Sequence, residues 1–256
     1  MATASSRSAG GADRSVDGLM ERASQALLKT EYFETEKLCL RALWAARRAR
    51  DFERMSRIAL PLQEARRQRR QIAVDAGPVA VIARTADVPK PLVPGMYLVQ
   101  PPMIGAEART LRESLFRRGV PGLVLCREPL TRDGKWPIVA VGTQVIRCKV
   151  EPPRALERVE KGSITKDAYP QEADGSGPSG TWFDAAAEAL GDAAIAKLVP
   201  DDVPEFRVDD LLEFLDAHPD HEKLHQRLAD ACREAIGTPE PETERRRGLV
   251  DDEFVF

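Results

Sequence analysis

Residues 104–126 read IGAEARTLRESLFRRGVPGLVLC, and the change of period inside this stretch decides the fold. Ala108, Leu111, Leu115 and Phe116 recur at helical spacing, and Gly119 is placed to stop the helix. GLVLC at 122–126 is then continuously apolar, which suits a central strand covered on both faces. GMYLV at 95–99 precedes the helix and ends at QPP, so GLVLC is expected to run parallel to it across the intervening helix. Outward in both directions the strand period persists. VAVI at 79–82 comes before a proline-rich turn, DVPKPLVPG. WPIVAV at 136–141 and QVIRCKV at 144–150 follow, and in the last of these Ile146, Cys148 and Val150 alternate with Arg147 and Lys149 as on an edge or half-exposed strand. Residues 77–153 therefore predict a β-β-α-β-β-β module.

Upstream, Leu19, Ala23, Ala26 and Leu27 mark one helix face. Phe33, Leu38, Leu40, Ala42 and Leu43 mark a second, and Met55, Ile58, Ala59 and Leu62 a third, with Thr30 and Asp51 placed as N-caps. The two junctions, KTEYFETEKLCLRAL and RARDFERMSRIALPL, are alike. On Tyr32, Ala42 and Leu43, residues 16–72 resemble the helix pairs of tetratricopeptide repeats. The chain departs from that pattern at Thr35, where the family places a small alanine, and no run of three repeats follows. The resemblance implies a helical hairpin that binds another protein.

Downstream, residues 154–180 mix charge with Gly, Ser and Pro and read as a flexible linker. Residues 181–237 predict an acidic helical bundle: TWFDAAAEALGDAAIAKL capped by Thr181 and kinked or divided at Gly191, then VDDLLEFLDAH, then HEKLHQRLADACREAIG. Residues 1–14 and 238–256 read as disordered ends, the latter finishing on Phe254, Val255 and Phe256. The expected class is α+β: an N-terminal antiparallel helical hairpin over 15–73, a small mixed β-sheet with one crossing helix, and a C-terminal short-helix bundle.

Of the 256 residues, 43% are hydrophobic and 31% charged, as in a soluble protein, and no apolar run is long enough to span a bilayer. The N-terminal stretch lacks the apolar middle of a secretory signal, so a cytoplasmic location is expected. A net charge of -3 hides an asymmetry of +6 over residues 1–73, +5 over 74–150 and -14 over 151–256. Cys39, Cys126, Cys148 and Cys232 have no CxxC spacing and read as reduced core thiols.

Few stretches carry chemistry. HEKLH at 221–225 resembles the metallopeptidase signature, with His221 and His225 as zinc ligands one helical turn apart and Glu222 as general base. It starts just after Pro219 and Asp220, and its third ligand would have to come from His218 or from Glu240, Glu242, Glu244 or Glu253. No metal site is therefore favoured, and zinc-dependent hydrolysis stands as an alternative. Arg47, Arg48, Arg50, Arg66, Arg67, Arg69 and Arg70 are the candidate binding residues. The last four are expected to fan around an exposed surface that suits phosphate or an acidic partner, while Trp44 and Phe52 are spaced for core packing rather than for stacking bases. Gln100, Arg127, Glu128, Arg132 and Asp133 would line a small-molecule pocket if they lie at adjacent strand ends, and Trp136 reads as a lid over the sheet core. Neither GxGxxG, a phosphate-binding loop nor GxSxG is present, and no cofactor is expected. The leading expectation is a nonenzymatic adaptor for a protein partner, with nucleic-acid binding through the arginine-rich helices as a second alternative.

Overall fold

The computed structural model describes residues 15–153 and 178–241; the expected disordered N-terminus, the linker up to residue 177 and the tail from residue 242 lie outside the described residues. The fold is a mixed α+β fold with N-terminal helices, a small mixed sheet, a crossing helix and C-terminal helices. The chain divides into two compact units, one holding residues up to 69 with 199–212 and 222–240, the other holding 70–198 with 213–221. The segment 181–237 contributes residues to both units.

The first unit is helical. Helix α1 (Val16–Leu28) packs on α2 (Tyr32–Arg48), and α3 (Phe52–Asp75) follows after a similarly short turn. Small residues, Ala23, Ala26, Cys39, Ala42 and Ala46, fill the buried faces and allow close approach of the helices. The two junctions are built alike. Thr30 and Arg50 both take positive φ (61° and 50°). At each, the amide of that residue donates to the carbonyl three back, Leu27 or Arg47, and the next amide donates to Ala26 or Ala46. This pair of bonds is the Schellman closure of a helix, made here without glycine. Thr30 therefore ends α1 instead of capping α2; Glu31 holds the N-cap position and makes no side-chain cap bond. Asp51 caps as expected, its Oδ1 accepting from the Arg54 amide at 3.0 Å. Helix α3 runs through Pro61, whose missing N–H frees the carbonyl of exposed Arg57, where water can satisfy it.

The second unit is a five-stranded sheet in sequential order: β1 (Ala80–Ile82), β2 (Gly95–Val99), β3 (Gly122–Arg127), β4 (Trp136–Val141) and β5 (Val145–Val150). The first three strands are parallel and the last two antiparallel, with α4 (Gly105–Arg117) crossing from β2 to β3 as the sequence predicts. Pairing aligns Ile82, Val99, Cys126 and Val139 in one row, and this face packs under Ala108, Leu111 and Leu115 of α4. Gly122 is required there, since a Cβ would stand 2.8 Å from a methyl of Leu115. Helix α5 (Gly180–Ala196) lies against β4 and β5, burying Phe183, Ala186 and Leu190. It begins earlier than expected: Ser179 caps it, accepting from the Trp182 amide at 3.2 Å, and Thr181 lies inside. Gly191 neither kinks nor divides it. A Cβ at that position would stand 2.2 Å from the ring of His221, so the glycine makes room for that imidazole. Helix α6 (Pro204–Ala217) contributes residues to both units, and α7 (Glu222–Ala235) belongs to the helical one.

Candidate functional site

The outward stripe of α2 sets an aromatic side chain among charges. Glu34, Lys37, Arg41, Trp44 and Arg48 recur at steps of three and four and are all exposed, while Leu38, Cys39, Ala42, Leu43 and Ala46 are buried. Trp44 is 47% exposed, whereas sequence spacing placed it in the core; Phe52 does sit in the core, at 4%. The signal was available, because charges stand at positions 37, 41 and 48, seven and three residues before Trp44 and four after it.

The arginines behave differently from expectation. Arg66 and Arg69 are buried, 5% and 7% exposed, and do not join an exposed fan. Both grip the buried carboxylate of Glu36: Arg66 Nε donates to Oε1 at 2.9 Å and Arg69 Nη1 to Oε2, while the Arg69 guanidinium lies 4.3 Å over the ring of Phe33. The reason is positional. Ile58, Leu62 and Ala65 continue to Arg69 along one buried face of α3, so a guanidinium on that face must find an anion inside. Arg47 donates to Asp209 at 2.7 and 2.8 Å and pairs with Glu205 at 3.0 Å; Arg50 pairs with Glu205 at 2.6 Å. Burial pushes the Glu205 carboxyl up, and the two arginines more than reverse this, holding it below its ordinary value. In the other unit, Arg70 contacts Asp184 at 3.0 Å and Glu188 at 3.4 Å. Arg67 pairs with Glu64 at 2.8 Å. Of the seven candidate arginines, Arg48 alone makes no described ion pair.

HEKLH straddles the start of α7. Glu222 is its first residue, and His221 stands before it, packed in the sheet unit against Gly191 with Nε2 3.3 Å from Glu188 and 3.7 Å from Asp192. His225 is buried in the helical unit among Leu224 and Leu228, with Nε2 3.4 Å from Arg66 Nη1. A guanidinium at that nitrogen places positive charge where a metal ligand needs an open lone pair. Among the described residues no group of three or more His, Cys, Asp and Glu is arranged to hold a metal ion. His218 is buried, its Nε2 2.9 Å from the Ala187 carbonyl and its ring stacked 5.8 Å from that of His221; burial first, then the neighbouring His221, pushes its pKa down to about 4.

At the strand ends the structure joins Gln100 and Arg127, whose Nη2 donates to Gln100 Oε1 at 2.9 Å. Both are buried, with the guanidinium 4.4 Å over Trp136, which is itself enclosed against Trp182. Glu128 and Asp133 turn instead to the edge strand, Glu128 to Arg147 at 3.2 Å and Asp133 to Lys149 at 3.6 Å, and Arg132 is exposed. All four cysteines are free; burial pushes each thiol up to about 12, which leaves them unreactive at neutral pH. No helix among the described residues is long and apolar enough to cross a membrane. A groove of about 410 Å³ opens in the sheet unit between the proline-rich loop and α4. Compared with family models, with characterised proteins and with solved structures, the chain matches none.

Proposed function

We propose that this chain is a nonenzymatic cytoplasmic adaptor that binds another protein through the outer stripe of α2. Trp44 is the apolar anchor, and Lys37, Arg41 and Arg48 select an acidic segment of the partner. The observation that carries this reading is the exposed indole of Trp44 set among cations on a helix whose opposite face is fully packed. Tryptophan and arginine are the side chains most often found to dominate binding energy, and burying an exposed indole removes a large apolar area from water. The helix-pair resemblance points the same way.

Photo-crosslinking tests it. A photoreactive phenylalanine at position 44 is expected to capture a discrete protein that the same residue at position 24 on α1 does not. Against the purified partner, Trp44→Ala is expected to weaken binding by about thirtyfold, the effect of losing a hot-spot side chain. Equal capture at both positions would refute the reading.

One observation favours a second reading. An exposed tryptophan between Arg41 and Arg48 is also a stacking platform for a single-stranded nucleic acid. With Arg66 and Arg69 turned inward and most other arginines paired, few cations remain to release counterions, so such binding would show a shallow salt slope. Quenching of Trp44 fluorescence by an oligothymidylate, lost in Arg41→Glu, would favour this reading over the first.

A further inference from the structure

We infer that the groove between the proline-rich loop and α4 is a site for an elongated apolar molecule carrying one anionic head. At about 410 Å³ it falls within the roughly 300–1,000 Å³ range of small-ligand sites. Its helical wall is one continuous face: Glu107, Thr110, Leu111, Ser114 and Arg118 recur at steps of three, one, three and four. At about 1.5 Å per residue, the eleven steps from Glu107 to Arg118 make a trough of about 16 Å. The opposite wall is hydrocarbon from Val88, Pro89 and Leu92, and the floor includes Met103 and Leu111, both less than a tenth exposed.

The polar groups divide into committed and open ones. Thr110 Oγ1 donates to the Ala106 carbonyl at 3.0 Å, and Ser114 Oγ accepts from Arg117 at 3.3 Å, so both hydroxyls are engaged along their own helix. Glu107, whose Oε2 accepts from the Ile104 amide at 2.9 Å, lies at the start of α4, eleven residues along the helix from Arg118. Lys90 and Arg118 are the two cations of the lining; both are exposed, and neither makes a described ion pair. An apolar trough bordered by two cations, with its one carboxylate at the other end of the helix from Arg118, complements an extended hydrocarbon that ends in a carboxylate. A neutral hydrocarbon would leave the cations unused, and a compact polyanion would leave the trough unfilled.

Decanoate, titrated calorimetrically into the full chain below its micelle concentration, is the probe. Saturable one-to-one binding is expected, with decanol bound about tenfold more weakly, the loss expected when a single charge contact is absent. The exposed double variant Lys90→Glu, Arg118→Glu is expected to lose a similar factor or more. Thr110→Trp, which places an indole in the trough from an exposed helical position, is expected to abolish binding, and circular dichroism checks that both variants fold. Absence of saturable binding to the unaltered chain, equal affinity for decanol, or full retention of binding by both variants would each overturn the assignment. The last result would place the ligand elsewhere on the surface.

Discussion

The helical unit and the sheet unit settle their buried cations differently. In the helical unit guanidinium groups are construction material: Arg66 and Arg69 close on Glu36 in the interior, and Arg47 and Arg50 tie α2 and its end to Glu205 and Asp209 of α6. In the sheet unit the buried Arg127 rests on the amide oxygen of Gln100 and the ring of Trp136, the interior between the sheet and α4 is an apolar row, Ile82, Val99, Cys126 and Val139, and Lys90 and Arg118 stay outside on the rim of a groove. A count of arginines therefore says little about available positive surface. What decides is whether the helix face carrying them is buried and whether a carboxylate meets them there.

The largest effect expected from breaking this contrast is at Glu36. Glu36→Ala leaves two buried guanidinium groups uncompensated, and denaturant unfolding followed by circular dichroism should show a loss of about 3–5 kcal/mol. The matching change in the sheet unit, Leu115→Ala, removes hydrocarbon from beneath β3 without exposing charge, and about 3 kcal/mol is expected. Raising salt to 1 M should leave the second loss unchanged and alter the first only slightly, because buried charges are poorly screened.

A third expectation concerns pH. His218 is held neutral in the folded chain, with a pKa of about 4, whereas the unfolded value is about 6.5. Between these values the unfolded chain binds more protons, so stability is fully present above pH 6.5 and falls as pH drops toward 4, by on the order of 3 kcal/mol for this group alone. His221, Asp220 and Arg112 surround the ring, so the quantity to measure is the difference between the native chain and His218→Asn, whose slope over this interval should be flatter. The smallest effect sharpens the matched junctions. Thr30→Gly relieves a β-branched residue at positive φ and should stabilise the helical unit by about 0.5 kcal/mol, the strain relief being partly offset by the greater freedom of glycine in the unfolded chain.

The sheet was legible because each of its strands announces itself locally. GLVLC is apolar throughout, QVIRCKV alternates, and one helix between GMYLV and GLVLC suits the parallel crossover that the structure shows, so the order of elements along the chain follows from period, while the edge position of β5 is set by the pairing. The likeness of the two helical junctions was also visible, although the conformation behind it was not: both close on a non-glycine residue in the left-handed region, a choice for which Thr30 and Arg50 carry little propensity. Arg66 and Arg69 could not be placed inside from local pattern, because their partner, Glu36, lies 30 and 33 residues away and meets them only through tertiary packing. The packing of His221 has no local signal, and the glycine that admits its ring, Gly191, reads in sequence as a kink or division of the helix. The groove had no local signal at all, since half its wall is a turn and the other half an ordinary polar helix face.

We propose that the arginines inside hold the helices while the stripe around Trp44 is left to meet a protein partner. The affinity of the protein captured at position 44, measured by calorimetry for Trp44→Ala beside the unaltered chain at equal melting temperature, tests it most directly. Predicted is a loss of about thirtyfold. An affinity within about twofold of the unaltered chain would contradict it, since a hot-spot side chain cannot be removed at so small a cost.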